Sequence, residues 1–175
     1  MQWELARSEI HLTTKLGEGD GGVIYCAHWR GLDVVAKMLK TEGDRPSAMN
    51  SAVARADLIN EISVLSRLRH PNLVMFLGAC TVKEPLIIIS EYLSGGNLED
   101  YLIKKRKGGA KGKPWMPPPK QVLSWSTELA RALCFLHGCN PVIIHRDLKP
   151  VCPSSHLTRP RPRLLHVASL ARAMS

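Results

Sequence analysis

The feature that most constrains the fold is a change in hydrophobic period along the chain. Residues 10–40 and 73–91 hold short, β-branched apolar runs separated by turn residues, a pattern typical of antiparallel strands. Residues 121–137 instead carry apolar side chains every three or four positions, which predicts an amphipathic helix. Strands and helices that are segregated along the chain in this way predict an α+β fold.

The strand-like part predicts five antiparallel strands and one helix. Three strands are expected within residues 10–39, and two more at residues 73–80 and 86–91. Between the two groups, residues 55–69 change to a helical period. Their apolar positions are Leu58, Ile62, Leu65 and Leu68.

The helical part predicts two helices and a short strand. Asn97 is a good N-cap for a helix over residues 98–105. Three consecutive prolines prevent the longer helix from starting before about Lys120, and Gly138 is expected to end it. The apolar run at residues 142–144 predicts a short buried strand.

The composition is that of a globular protein of 175 residues, with 45% hydrophobic and 22% charged side chains. No apolar run approaches the roughly 20 residues needed to cross a bilayer, and the N-terminus lacks the features of a secretion signal. The five cysteines form no C-x-x-C pair, so neither a disulfide framework nor a metal site is indicated. These observations predict a reduced, cytoplasmic protein without a membrane partner.

The net charge of +9 is unevenly distributed. All 15 acidic residues precede Pro150, whereas four arginines follow it in an acid-free tail. Much of the remaining excess comes from a Gly-rich basic run between Lys104 and Lys113. Because this run has no pattern, we expect a solvated loop and no nucleic-acid partner, with a localisation signal or a nucleic-acid patch as the alternative.

A glycine cluster, Gly17-x-Gly19-x-x-Gly22, lies between the first two predicted strands. Glycines at such a turn let backbone N–H groups approach a phosphate, although the pattern alone is equally compatible with an ordinary hairpin loop. In a dinucleotide-binding fold the same pattern opens a helix, so the strand that follows here argues against that fold.

Two charged residues lie at otherwise apolar positions. Lys37 is inside the third predicted strand, where a lysine either extends its amine to solvent or meets an anion. Glu61 falls between Leu58 and Leu65 on the apolar face of the predicted helix, where a carboxylate needs a partner. The two residues are candidates for an ion pair, with chance placement as the alternative.

A run near residue 150 resembles the catalytic loop of protein kinases, H-R-D-L-K-P: Ile144-His145-Arg146-Asp147-Leu148-Lys149-Pro150. Other motifs of that family stand in order before it, namely the glycine cluster, Val34-Val35-Ala36-Lys37 for V-A-I-K, and Glu61 in the following helix.

The sequence between these motifs resembles that of the tyrosine-kinase-like group, which includes the Raf-like kinases. The runs that carry this resemblance are Leu68-Arg69-His70-Pro71-Asn72-Leu73-Val74, Phe76-Leu77-Gly78-Ala79-Cys80 and Glu91-Tyr92 followed by Gly95-Gly96-Asn97-Leu98. The resemblance covers residues 3–150. It implies a protein-kinase-like fold, with a five-stranded antiparallel small lobe that carries one helix and an incomplete helical large lobe.

The resemblance also implies an ATP site. Gly17, Gly19 and Gly22 would let the loop close over the phosphates, and Lys37, held by Glu61, would contact the α- and β-phosphates.

The adenine would be held on the same lobe and at the hinge. Ile24 would lie beneath the adenine, Glu91 and Leu93 would offer hinge backbone to its edge, and Ser90 would be a small gatekeeper. Val35 stands where the family usually has alanine, which adds bulk above the adenine.

The catalytic loop carries the remaining implied roles. Asp147 would orient or deprotonate the acceptor hydroxyl, and Lys149 would steady the γ-phosphate and is more typical of serine/threonine kinases. After Pro150 the family's metal-binding asparagine is replaced by Cys152, and no D-F-G follows. Mg²⁺ binding is therefore expected to be weak, and phosphoryl transfer impaired.

These observations predict three regions: the small lobe and hinge at 3–93, a partial large lobe at 94–150, and an unrelated, disordered tail at 151–175. The predicted function is that of a truncated serine/threonine kinase homologue that binds ATP and a protein substrate. Two alternatives stay open, a non-catalytic module that pairs with and regulates an intact kinase, and the product of a misjoined reading frame.

Overall fold

The computed structural model describes residues 3–19, 22–39, 56, 59–60, 62–95, 97–107, 115–145 and 148. The chain divides into two compact units. The first comprises Met1–Leu68 and Met75–Tyr92, and the second comprises Arg69–Val74 and Leu93–Ser175.

The first unit is built on a five-stranded antiparallel sheet with strand order β1-β2-β3-β5-β4, which confirms the predicted small-lobe architecture. A short 3-10 turn, Arg7–Glu9, precedes the first strand. The strands are β1 (Ile10–Gly19), β2 (Gly22–Trp29), β3 (Leu32–Met38), β4 (Phe76–Cys80) and β5 (Ile87–Glu91).

One face of this sheet carries the hydrophobic core of the first unit. Side chains alternate between the two faces of a strand, and Val34 and Ala36 of β3 belong to the core face. The buried members of this cluster are Ile10, Ala27, Val34, Ala36, Cys80, Ile87 and Ile89. Lys37 and Val35 alternate with them along β3 and therefore project to the opposite face.

Strand β4 begins three residues later than the predicted boundary. Leu73 and Val74 are buried but belong to the second unit, and the Leu73 amide donates to the His70 carbonyl at 3.1 Å. The apolar run at residues 73–80 is thus divided between the cores of two units, and hydrophobicity alone cannot show such a division.

The helix predicted at residues 55–69 is shorter at its C-terminal end. Residues 62–65 are helical, and residues 66–67 form a turn. Here the Leu68 amide donates to the Leu65 carbonyl at 3.2 Å, a three-residue spacing that tightens the last turn. Leu58 and Glu61 lie outside the described residues.

A short N-terminal segment, Trp3 to Leu5, covers the free edge of β4. The Leu5 amide donates to the Ala79 carbonyl at 2.8 Å, and the Ala79 amide donates to the Trp3 carbonyl at 2.9 Å. The carboxylate of Glu4 accepts hydrogen bonds from the amide and hydroxyl of Thr81, at 2.8 and 2.6 Å. We call these three residues the N-terminal clip.

The second unit contains two described helices, α1 (Leu98–Lys107) and α2 (Pro119–His137). The predicted cap of α1 is confirmed, because the Asn97 side-chain oxygen accepts a hydrogen bond from the Asp100 amide at 2.7 Å. Helix α1 extends two residues beyond the predicted end and takes in the first basic residues of the run expected to be a loop. Cations are favourable there because the helix dipole is negative at its C-terminus.

Helix α2 starts one residue earlier than predicted. Pro119 occupies its first turn, where a missing N–H costs nothing and the fixed φ suits a helix. The strand predicted at residues 142–144 is wrong, since these described residues have no regular structure. Instead, the Ile143 amide donates to the Leu136 carbonyl at 3.1 Å, which ties this segment to the end of α2.

Packing within the second unit centres on α2. Ala132 and Leu136 are fully buried, whereas Val122, an apolar residue near the start of the same helix, is 43% exposed. His70 stacks on Phe135 with ring centroids 5.0 Å apart, and burial lowers the pKa of His70. Among the described residues, no helix is both long and apolar enough to cross a membrane.

Candidate functional site

A transverse row of residues crosses the sheet face opposite the core. Gly17 pairs with Ile24, Ile24 pairs with Lys37, and Lys37 pairs with Ile88 in the strand register. Paired residues on neighbouring antiparallel strands project to the same face. The sheet therefore brings three of the predicted site residues side by side, a glycine, a branched apolar residue and a lysine.

A second row lies two residues earlier along β3, at Val35. Val35 pairs with Cys26 on one side and with Ser90 on the other. Val35 and Ser90 are 5% and 7% exposed, whereas Ile24 and Lys37 are only partly buried. The site face thus has a closed apolar end at the second row and a more accessible cationic end at the first.

The fold requires glycine at one position of the cluster and does not require it at another. Gly22 has a φ of +130°, and a Cβ there would collide with the Met38 carbonyl, so the fold itself requires glycine. At Gly17 a Cβ would meet nothing within 4 Å, and its φ is not in the left-handed region. The packing of the described residues therefore does not require a glycine at position 17. Gly19 is paired with Gly22 in the hairpin register.

The end of β5 is held by reciprocal bonds to one residue. The Glu91 amide donates to the Met75 carbonyl at 3.0 Å, and the Met75 amide donates to the Glu91 carboxylate at 2.6 Å. These two bonds fix the backbone at the position predicted to face an adenine. In the second unit, Leu93 is buried, with 7% exposure.

A thiol next to a tyrosine was not foreseen from the sequence. Cys26 shares the second row with Val35, and it lies close to Tyr92. Burial, followed by the proximity of Cys26, raises the pKa of Tyr92. The period-two alternation of β2 places Cys26 on the face of Ile24, and this signal was available in the sequence.

The run that resembles the kinase catalytic loop is described only in part. His145 is buried in the second unit, with 2% exposure, and Leu148 is exposed. Asp147, Lys149 and Glu61 lie outside the described residues, so their predicted roles stay predictions. Within the described residues, no group of three or more His, Cys, Asp or Glu side chains is placed to hold a metal ion.

The donor set of the sheet face fits an anionic, partly apolar ligand. Lys37 supplies a positive charge, Gly17 leaves the backbone open to close approach, and Ile24 and Val35 offer apolar contact. A nucleoside phosphate has these two kinds of surface, a planar apolar base and a charged end.

Comparison with known proteins agrees with this chemistry. A family model described as protein tyrosine and serine/threonine kinase matches residues 10–150. This match contains both rows of the sheet face and the run that ends at Pro150.

Similar individual proteins include kinases of two specificities. The chain is 39% identical over 150 residues to the serine/threonine-protein kinase VIK of Arabidopsis thaliana, an alignment that covers 85% of this chain and 31% of that protein. It is 35% identical over 141 residues to the serine/threonine-protein kinase CTR1 of the same plant, covering 81% and 16%. It is 35% identical over 147 residues to the human cytoplasmic tyrosine-protein kinase BMX, covering 83% and 19%. The chain therefore spans less than a third of the length of these relatives.

Proposed function

The chain belongs to the protein tyrosine and serine/threonine kinase family, and from this premise we propose that its first unit binds ATP on the sheet face opposite the core. The observation that carries the proposal is the row formed by Gly17, Ile24 and Lys37. In this row Ile24 lies between Gly17 and Lys37, one strand spacing from each. The lysine and the glycine suit the triphosphate of ATP, and the apolar side chain suits its flat base.

The phosphate end of the ligand is assigned to the first row. Lys37 binds the α- and β-phosphates, and its attraction to them is strengthened because the surrounding face is partly buried and weakly screened. Glu61 is proposed to hold the Lys37 amine in place. Gly17, Gly19 and Gly22 let the hairpin backbone approach the phosphates, with Gly17 leaving the space described above.

The adenine end is assigned to the second row and the end of β5. Ile24 and Val35 contact the base, and the small Ser90 leaves room beside it. The backbone of Glu91 bonds the edge of the base. The bonds between Glu91 and Met75 support this assignment, because a fixed backbone loses little entropy when the ligand binds.

By class, the reaction is transfer of the γ-phosphoryl group to a serine or threonine hydroxyl of a protein. Asp147 is proposed to orient the hydroxyl and Lys149 to steady the phosphoryl group. The serine/threonine assignment rests on Lys149 and on similarity to kinases such as CTR1. Membership of the tyrosine-kinase-like, Raf-like group rests on the sequence runs at 68–74, 76–80 and 91–98.

The 175-residue chain by itself is proposed to transfer phosphate poorly. It has Val151 and Cys152 where the family's loop continues to a metal-binding asparagine. Mg²⁺ neutralises charge on the transferring group in this reaction, so loss of its fixed ligands costs orders of magnitude in rate.

The test is calorimetric titration of the chain with ATP, in its original form and as Lys37→Met. We expect saturable binding that the substitution weakens at least tenfold, which corresponds to about 1.4 kcal/mol. Lys83→Met is the matched control, because Lys83 is an exposed lysine in the turn between β4 and β5. Equal binding by Lys37→Met and the original chain would remove the proposed role of Lys37.

Transfer is measured separately with labelled ATP, Mg²⁺ and a generic protein substrate. We expect only background incorporation. Strong incorporation that Asp147→Asn abolishes would contradict the proposed impairment and leave ATP binding intact.

A further inference from the structure

The segment between α1 and α2 has a surface that ATP binding does not use. Residues 115–119 read Trp-Met-Pro-Pro-Pro, and Lys120 follows. Met116 is 69% exposed, and Pro118, Pro119 and Lys120 are exposed as well. We call residues 115–120 the proline segment.

The backbone of the proline segment is extended before α2 begins at Pro119. Pro118 has φ −57° and ψ 142°, the values of a polyproline II helix. Met116 and Pro117 each precede a proline, which restricts them to the same region. A ligand that is already in this conformation loses little entropy on binding.

Helix α2 does not account for all three prolines. Pro119 is in the first turn, and the Pro118 carbonyl accepts from the amides of Gln121 and Val122 at 2.9 and 3.1 Å. Pro117 takes no part in this start. Within the described residues, no hydrogen bond engages the backbone carbonyls of Met116 and Pro117.

Tyr101 joins the proline segment to the basic end of α1. The Trp115 ring meets the Tyr101 ring edge-on, with centroids 5.9 Å apart, and Trp125 of α2 does the same at 6.0 Å. The Lys105 amine lies 5.7 Å from the centroid of the Tyr101 ring, a cation–π contact. The first residue of the proline segment is therefore anchored beside a cation.

That cation belongs to a fixed cluster of positive charge. The last turn of α1 consists of four exposed cations, Lys104, Lys105, Arg106 and Lys107. Because this turn is helical, all four cations fall within about 5.4 Å of helix length, and Lys104 and Lys107, three positions apart, lie on the same face. The helix dipole favours cations here, but it does not require four of them.

We propose that the proline segment and the basic turn of α1 together form a docking surface for a partner domain with an aromatic-lined groove flanked by carboxylates. Aromatic grooves recognise polyproline II segments through the ridges of the proline rings. Carboxylates beside the groove complement the cations next to Trp115 and fix the direction in which the segment binds. This surface lies within the second unit and is independent of the proposed ATP site.

The test titrates the whole chain with two isolated probe domains, an SH3 domain and a WW domain, each chosen for acidic residues beside its groove. We expect at least one to bind with a Kd on the order of tens of micromolar, as short linear segments do. Pro117→Ala with Pro118→Ala should weaken binding at least tenfold. Pro119 is kept, so that the circular dichroism of α2 stays unchanged.

The contribution of the basic turn is tested with Lys104→Ala and Lys105→Ala together. We expect several-fold weaker binding, and binding by the original chain should fall as salt is added. Lys15→Ala with Lys83→Ala, on the first unit, is the matched control and should leave the Kd unchanged.

Three results would overturn the proposal. The first is no saturable binding by either domain, and the second is equal binding by the proline variant. The third is binding that the lysine variant abolishes and the proline variant leaves intact, because the surface would then recognise anions without reading the proline segment.

Discussion

At the scale of single residues, Glu128 of α2 is a buried carboxyl group whose protonation is coupled to folding. Its side chain is only 9% exposed on α2. One carboxylate oxygen accepts a hydrogen bond from the Ser124 hydroxyl at 3.0 Å, and the other has no hydrogen-bond partner among the described residues. Burial raises the pKa of Glu128, against smaller opposing effects of Ser124 and Arg131. Its charged form is therefore unfavourable in the folded chain.

The sign of the pH dependence follows from that direction. A carboxyl whose pKa is raised on folding stabilises the protein below its ordinary value of 4.5, and this stability is lost as the pH rises through the folded pKa. Glu128→Gln should remove this loss of stability at higher pH, because glutamine does not ionise. It should increase the free energy of unfolding at neutral pH by roughly 1 kcal/mol.

Urea unfolding between about pH 4 and about pH 8 measures this difference. Glu99→Gln, at an exposed carboxylate in the first turn of α1, is the control and should not show the gain at neutral pH. A stability profile of Glu128→Gln parallel to that of the original chain would show that the buried carboxyl is not the source.

Cys26 offers a second measurement at the residue scale. It is partly buried on the site face beside Val35, whereas Cys134 of α2 is exposed. If ATP covers that face, ATP at about ten times its Kd should slow alkylation of Cys26 roughly tenfold, since about one site in eleven is then free.

Mass spectrometry of the two cysteine-containing peptides reads both rates in one sample. Cys134 should react at the same rate with and without ATP, and Lys37→Met should reduce the protection of Cys26 to about twofold or less at the same ATP concentration. Equal slowing at both cysteines would indicate general stabilisation and contradict shielding at the site face.

At the scale of elements, the N-terminal clip and β4 depend on one glycine. A Cβ at Gly78 would lie 2.6 Å from the Leu5 side chain and 2.8 Å from the Trp3 carbonyl. Gly78→Ala should therefore destabilise the chain by about 1–3 kcal/mol, the usual cost of overpacking. Leu5→Ala removes part of the clash, so the double variant should lose less than the sum of the two single losses.

Thermal unfolding of the four forms in this cycle gives the coupling energy. Gly17→Ala is the matched control for stability, because a side chain there meets nothing within 4 Å. Strict additivity of the two substitutions would mean that the clip does not contact β4 in solution.

The same scale shows what could be predicted from the sequence. The hairpin of β1 and β2 was predictable because its strands are adjacent in the chain and separated by glycines. The shared row of Gly17, Ile24 and Lys37 then follows from period-two alternation and strand pairing, both of which are local rules.

Other features depend on contacts between distant residues. The start of β4 was misplaced because Leu73 and Val74 pack in the other unit. The apolar run at residues 142–144 resembled a strand, but the Ile143 amide donates its hydrogen bond to the Leu136 carbonyl at the end of α2 and not to a neighbouring strand. The pairing of Glu4 with Thr81, 77 positions apart, has no local signal at all.

At the scale of the whole molecule, the two units differ in how much apolar surface they cover. The first unit buries a seven-member cluster on its sheet. Among the described residues, it leaves three large apolar side chains exposed, Leu16, Leu32 and Val82, whereas the second unit leaves six, among them Met116, Leu123 and Val142 at 69%, 68% and 47%. Uncovered apolar surface forgoes about 25 cal/mol per Å², so we expect the second unit to unfold at lower denaturant concentration.

The four tryptophans make this measurable, since Trp3 and Trp29 lie in the first unit and Trp115 and Trp125 in the second. A variant with both tryptophans of one unit changed to Phe reports the other unit by fluorescence. We expect two different midpoints, with circular dichroism following both transitions. Superimposable curves from the two variants would show a single cooperative molecule.

The N-terminal clip has a practical bearing on where this protein is cut for study. The kinase family match starts at residue 10, so a polypeptide trimmed to that boundary would discard Trp3, Glu4 and Leu5. The amide and carbonyl of Ala79 would then lose their partners, and the outer strand would present an unpaired edge. An open edge of this kind invites strands from other copies. The shortened protein would therefore aggregate for a reason unrelated to its active site, and a failed preparation would be misread as evidence that the domain cannot fold.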